Sequence, residues 1–113
     1  MNRRSDLARL QKLSQLILDQ RLARLRETAD LRDRTRMQIM SLDQSAKTAD
    51  LPTVTVNQVA LRYELWADAQ RTELNAVLAR QTVAWLDARD RALAAFGRLE
   101  ALRGLNRNAE GES

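Results

Sequence analysis

Leu42-Asp43-Gln44-Ser45-Ala46-Lys47-Thr48-Ala49-Asp50-Leu51-Pro52-Thr53-Val54-Thr55-Val56-Asn57 is the stretch where a helical pattern cannot run straight through. Asp43, Ser45, Thr48 and Asp50 are cap and turn formers. Pro52 drives Leu51 out of the α region. Thr53-Val54-Thr55-Val56 is β-branched, with poor helix propensity. It is too short and isolated to found a sheet, so it reads as an extended entry into a second helix. Thr55, with Gln58 three residues later, fits a capping box. Two long helical patterns flank this break.

On the N-terminal side, Ser5 is a suitable N-cap, and Asp6 places negative charge in the first turn. Leu7, Leu10, Leu13, Ile17, Leu18, Leu22, Leu25 and Ala29 follow mostly at steps of three and four, which is helical spacing. The alternation slips at Ile17-Leu18, which predicts a local change of supercoil and not a helix end. On the C-terminal side, the stripe is Val59, Tyr63, Trp66, Gln70, Leu74, Val77, Gln81, Ala84, Ala88, Ala92, Ala95, Leu99 and Leu102. Gly104 suits the position just past a helix end, with Arg103 against the negative terminus. The spacing predicts one all-α domain over 1–113, a long antiparallel two-helix coiled-coil hairpin. Helix 1 covers about 5–45, the connection about 46–55, helix 2 about 56–103 and a flexible tail 104–113. In such a hairpin each helix touches one partner, so Leu16, Leu31, Leu61, Leu65, Leu86 and Leu93 are expected to stay partly exposed.

The composition agrees. The chain has 113 residues, 30% of them charged, with 4% aromatics, 3 Gly and 1 Pro, the balance of long helices and not of a sandwich or barrel. Its lack of His and Cys removes a Ser-His-Asp triad, a thiolate nucleophile, a disulfide and imidazole or thiolate metal sites. Its glycines, Gly97, Gly104 and Gly111, follow no strand, so no phosphate loop is present. We therefore expect no enzyme, no cofactor, no metal site and no small-molecule substrate. Asp30 with Arg34 and Asp87 with Arg91 read as i,i+4 ion pairs worth a few tenths of a kcal/mol. No apolar run approaches the roughly 20 residues of a membrane span, and the start does not read as a secretory signal. The expected location is the cytoplasm, at most at the cytoplasmic face of the inner membrane.

Charge is uneven. Residues 1–51 hold eleven basic and seven acidic side chains, and the remainder eight of each. Arg21, Arg24, Arg32 and Arg36 form the candidate docking residues of helix 1. Heptad bookkeeping from Leu7 and Leu10 puts Arg21 and Arg24 at the seam, where long stems pack while the head snorkels out. The plainer reading is a solvated basic face; the functional one is a docking surface for an acidic partner. Nucleic acid is disfavoured, because acids are interleaved and helix 1 carries no aromatic for base stacking. Trp66 and Trp85 read either as seam residues or as anchors for a partner. Gln70 and Gln81 read as register devices.

The basic start Asn2-Arg3-Arg4-Ser5, then Leu7-Ala8-Arg9-Leu10, and the ending Arg89-Asp90-Arg91-Ala92-Leu93-Ala94-Ala95-Phe96-Gly97-Arg98-Leu99-Glu100-Ala101-Leu102 resemble the FliJ/YscO family. These are the small stalk proteins of flagellar and related type III export. The resemblance spans residues 5–105. It implies a non-enzymatic coiled coil that inserts into the hexameric export ATPase and contacts the export gate or export chaperones. The alternative is a coiled-coil adaptor or dimerising scaffold unrelated to secretion, two hairpins forming a homodimeric four-helix bundle.

Overall fold

The structure, a computed structural model, describes residues 2–48 and 54–111, with side-chain surroundings for 2–45 and 58–111. It is an all-α helical hairpin of α1 (Arg3–Thr48) and α2 (Val54–Gly111), with no strand among the described residues. Pro52 and the turn it was expected to make lie outside the described residues.

Three helix ends differ from expectation. Asn2, not Ser5, caps α1: its Oδ1 accepts from Arg4 N at 3.1 Å and its carbonyl from Asp6 N at 3.2 Å. Asn is as good a cap as Ser, and the earlier position adds almost a full turn. Helix α2 begins at Val54, so 54–56 are helical and not an extended entry. The propensity deficit of Val and Thr is only tenths of a kcal/mol per residue, and helical context overrides it. Thr55 is therefore inside the helix; its side chain lies outside the described residues, and the capping box with it. At the other end α2 passes through Gly104 to Gly111. No glycine has positive φ, so Gly104 is not a left-handed terminator, and 104–111 are not a tail. Asn106 Nδ2 donates to Gln11 Oε1, which gives this last stretch a partner on α1.

Contacts divide the chain into two units: residues up to Thr28 with those from Ala84, and Ala29–Val83. The helices run antiparallel in each. In the first, Gln11 meets Asn106 and Gln15 meets Arg103; in the second, Arg32 meets Thr82 and Asp43 meets Arg71.

One row of covered positions on α1 runs Leu7, Gln11, Ser14, Leu18, Arg21, Leu25, Thr28, Arg32, Thr35, Ile39 and Leu42, with Gln15, Ile17, Leu22, Ala29 and Asp43 partly covered beside it. The steps of the row alternate four and three without a break, the 3.5-residue period of a coiled-coil seam. Ile17 and Leu18 are both covered, Leu18 in this row and Ile17 packed beside it. Leu10 and Leu13 fall off the seam, 48% and 53% exposed. On α2 the matching row starts Ala60, Tyr63, Ala67, Gln70, Leu74 and continues through Ala84 and Ala88. One double step of four occurs there, Ala84-Ala88-Ala92, a stutter that locally unwinds the supercoil. Val59 and Trp66, expected on the stripe, are 67% and 52% exposed; Ala67, beside Trp66, is 1% exposed. Small residues at the seam let two helices approach closely, and Ala67, Ala88, Ala92 and Ala95 do this along α2.

In the first unit Leu18, Ala95 and Leu99 form the apolar core, with Ile17 and Leu22 packed on it. The buried Thr28 and Thr35 return their hydroxyls to their own helix, to Leu25 O at 2.9 Å and Leu31 O at 3.2 Å, so the seam carries polar residues without orphaned hydroxyls. The six leucines expected to stay exposed, Leu16, Leu31, Leu61, Leu65, Leu86 and Leu93, are exposed by 36–65%.

Candidate docking surfaces

In the first unit, the α1 seam presents Arg21 at a half-buried position, and Arg24 lies one turn on, exposed. Opposite them α2 offers Ala84 and Ala88, with Asp87 and Arg91 at the rim. Together with Gln20 they line a cleft of ≈ 240 Å³. Arg24 Nη1 lies 3.4 Å from Glu27 Oε1, and Arg91 Nε 3.0 Å from Asp87 Oδ2. Arg21 makes no hydrogen bond or ion pair among the described residues. A guanidinium offers five donors in a planar fork, so here all five are unspent on the protein.

A second groove in the same unit is apolar. Leu18, Leu22, Leu25, Ala92, Leu93 and Phe96 line ≈ 220 Å³, with Arg89 at its edge. Arg89 Cζ sits 5.7 Å from the Trp85 ring centroid, a cation–π contact, and Arg89 Nη2 donates to Asp90 Oδ1 at 3.2 Å.

The second unit holds the other candidates. Arg32 Nε donates to Thr82 Oγ1 at 3.2 Å, and Thr82 donates in turn to Leu78 O at 2.8 Å. Arg32 is thus a structural cross-link between helices. Arg36 is exposed. Trp66 stands beside Tyr63, ring centroids 5.6 Å apart and tilted 40°. Here too lies a pair that the spacing arguments missed. Arg71 donates from Nε and Nη2 to Asp43 Oδ1, at 2.9 and 2.7 Å, and from Nη1 to Asp68 Oδ1 at 2.6 Å. The hydrogen bond to Asp43 is the largest cause holding the Arg71 guanidinium above its ordinary basicity; desolvation opposes it, and the Asp43 and Asp68 charges add to it.

Of the six residues picked from sequence, the structure joins Arg21 and Arg24 in one cleft, whereas Arg32, Arg36, Trp66 and Trp85 each sit elsewhere. Arg91 belongs with the first two; its i,i+4 pairing with Asp87 was legible, its place opposite Arg21 was not. The Asp30–Arg34 pair does not form among the described residues.

No family model, curated protein or solved structure matches the chain. Among the described residues no group of three or more Asp and Glu is placed to hold a metal, and no helix is long and apolar enough to cross a membrane. Among the described residues, both clefts are grooves between the two helices, one lined by charge and one by apolar side chains.

Proposed function

We propose that this hairpin is a non-enzymatic docking element, and that its specific form is the stalk of a protein-export ATPase, as the sequence resemblance implies. The observation that supports a docking role is the apolar imbalance. Among the described residues six apolar side chains are buried, four of them alanine, while fifteen large ones are exposed, including Leu16, Met37, Leu65 and Leu93. So large an excess of exposed over buried apolar side chains leaves area that another protein could cover. On this reading the partners are the hexameric export ATPase and the export-gate or chaperone proteins, at the cytoplasmic face of the inner membrane.

The test is co-purification of the tagged chain from its own cells under mild crosslinking, with mass spectrometry of what accompanies it and an assay of ATPase stimulation. An export ATPase in the eluate whose hydrolysis rises with added chain supports the stalk. Its absence sinks that specific form.

The apolar groove at Leu22, Leu93 and Phe96 favours a second reading, a scaffold in which two hairpins pair groove to groove as a four-helix bundle. Sedimentation equilibrium separates the two. A dimer that resists dilution, with no partner in the eluate, would support the scaffold.

A further inference from the structure

The cleft between Arg21 and Arg91 carries an inference that deepens the docking reading and rests on it. We infer that this cleft receives the acidic face of an α-helix from a protein partner, with a carboxylate seated on Arg21.

Arg21 occupies a seam position of α1 and is half-buried, yet meets no carboxylate and no carbonyl among the described residues. Its stem packs at the seam while the guanidinium keeps its donors for an incoming group. A carboxylate can accept two of them, and such charge-assisted pairs are the strong class of hydrogen bond. The neighbours reinforce the sign. Arg24 and Arg91 flank the cleft, each engaged with a single acid of its own helix, Glu27 and Asp87, and each more than half exposed. Three guanidiniums thus stand against two carboxylates. The floor is Ala84 and Ala88. These small side chains leave the space into which an incoming residue can reach, and apolar methyls on which its methylenes can rest.

The form of the occupant follows from the form of the cleft. It is a groove along two antiparallel helices, and the natural filler of such a groove is a third helix lying along it. Its chemistry follows from the rim. Glu27 and Asp87 would repel a continuous phosphate backbone, and nucleic-acid binding needs a long basic stripe, not three arginines confined to about two turns. Discrete carboxylates spaced one helical turn apart can match the arginines while avoiding the acids.

The experiment titrates the isotopically labelled full chain with a stapled helical peptide that carries glutamate on one face and leucine beside it. A second peptide has glutamine for glutamate, and a short DNA duplex serves as a further probe. Amide NMR shifts locate binding. The expected result is movement at residues 20–24 and 84–91 with the glutamate peptide. Affinity should fall on the order of tenfold or more with the glutamine peptide and with the R24E/R91E variant. That variant changes two exposed residues, so circular dichroism should show an unaltered hairpin even if Arg21→Glu does not fold. Arg21→Lys keeps the charge but loses the fork, and should bind with intermediate affinity. Equal binding of the two peptides, shifts confined to other residues, or tighter binding of the duplex would each overturn the inference. An export ATPase that co-purifies undiminished with R24E/R91E would remove this cleft from the interface and leave the stalk standing. Peptide binding at the cleft, in a chain that brings down no ATPase, would support the cleft and remove the stalk alone.

Discussion

Arg71 on α2 and Asp43 on α1 are joined by two hydrogen bonds to one carboxylate oxygen, at 2.9 and 2.7 Å, across 28 positions of sequence. A third bond from the same guanidinium, to Asp68, fixes its orientation from its own helix. This relationship ties the helices together within the second unit.

A double-mutant cycle on Arg71→Ala and Asp43→Ala should show favourable coupling that shrinks at high salt, because both side chains are partly exposed. Arg71→Lys should keep only part of it, since an ammonium cannot hold both aspartates in one plane. The pH behaviour follows from the raised basicity of Arg71. A cation raised above its unfolded value contributes fully below that value and loses its contribution only above the folded one. Arg71 should therefore add no pH dependence to stability across neutral and moderately alkaline conditions. Zero coupling by urea denaturation would contradict the assignment.

Leu99 is the largest fully buried side chain, 1% exposed, whereas Leu16 is 65% exposed. Leu99→Ala should cost about 2–5 kcal/mol, and Leu16→Ala should stay within about 0.5 kcal/mol of neutral in the isolated chain. Urea midpoints measure both. If Leu16→Ala destabilises as strongly as Leu99→Ala, the free chain already covers that face, as a dimer would.

Gly104 decides where α2 ends. An added Cβ meets nothing closer than Arg107 Nη2 at 4.0 Å, and at Gly97 nothing lies within 4 Å. Both lie within the helix with no positive φ. Gly97→Ala and Gly104→Ala should each stabilise by about 0.5–1 kcal/mol. A helix ending at Gly104 in a left-handed cap would reverse the second sign, so thermal melts of the two variants test the boundary directly.

Gln81 keeps its Oε1 buried without a partner among the described residues. An unsatisfied buried acceptor carries a desolvation penalty, so Gln81→Met should stabilise by about 1 kcal/mol. Thr28→Val is a contrasting case. The Thr28 hydroxyl serves carbonyls of its own helix, so its removal should be near neutral. If Gln81→Met instead lowers stability or yields mixed oligomers, Gln81 is setting register, the role its place in the stripe suggests.

Helix existence was readable because each segment repeats apolar residues at three and four with few breakers, and Gly97 and Gly104 were too weak to interrupt it. The stripe of α2 was readable from Gln70 to Leu102 for the same reason. The cleft was half readable: Arg21 and Arg24 share a helix, but Arg91 comes from 70 positions after Arg21, and no local spacing links them. The ends were misplaced where two caps compete, Asn2 against Ser5, and where glycine can serve as terminator or as interior residue.

By itself, then, the sequence determined the element type, the two-helix architecture and the lack of imidazole and thiol side chains, because these depend on composition and local period. Tertiary structure decided the phase. Val59-Tyr63-Trp66 and Ala60-Tyr63-Ala67 have equally helical spacing, as do Leu7-Leu10 and Leu7-Gln11. Only the approach of the opposite helix, which small residues permit, settled that Ala67 and Gln11 lie at the seam, while Leu10 faces outward and Trp66, half exposed, edges a groove shared with Gln38 and Leu42.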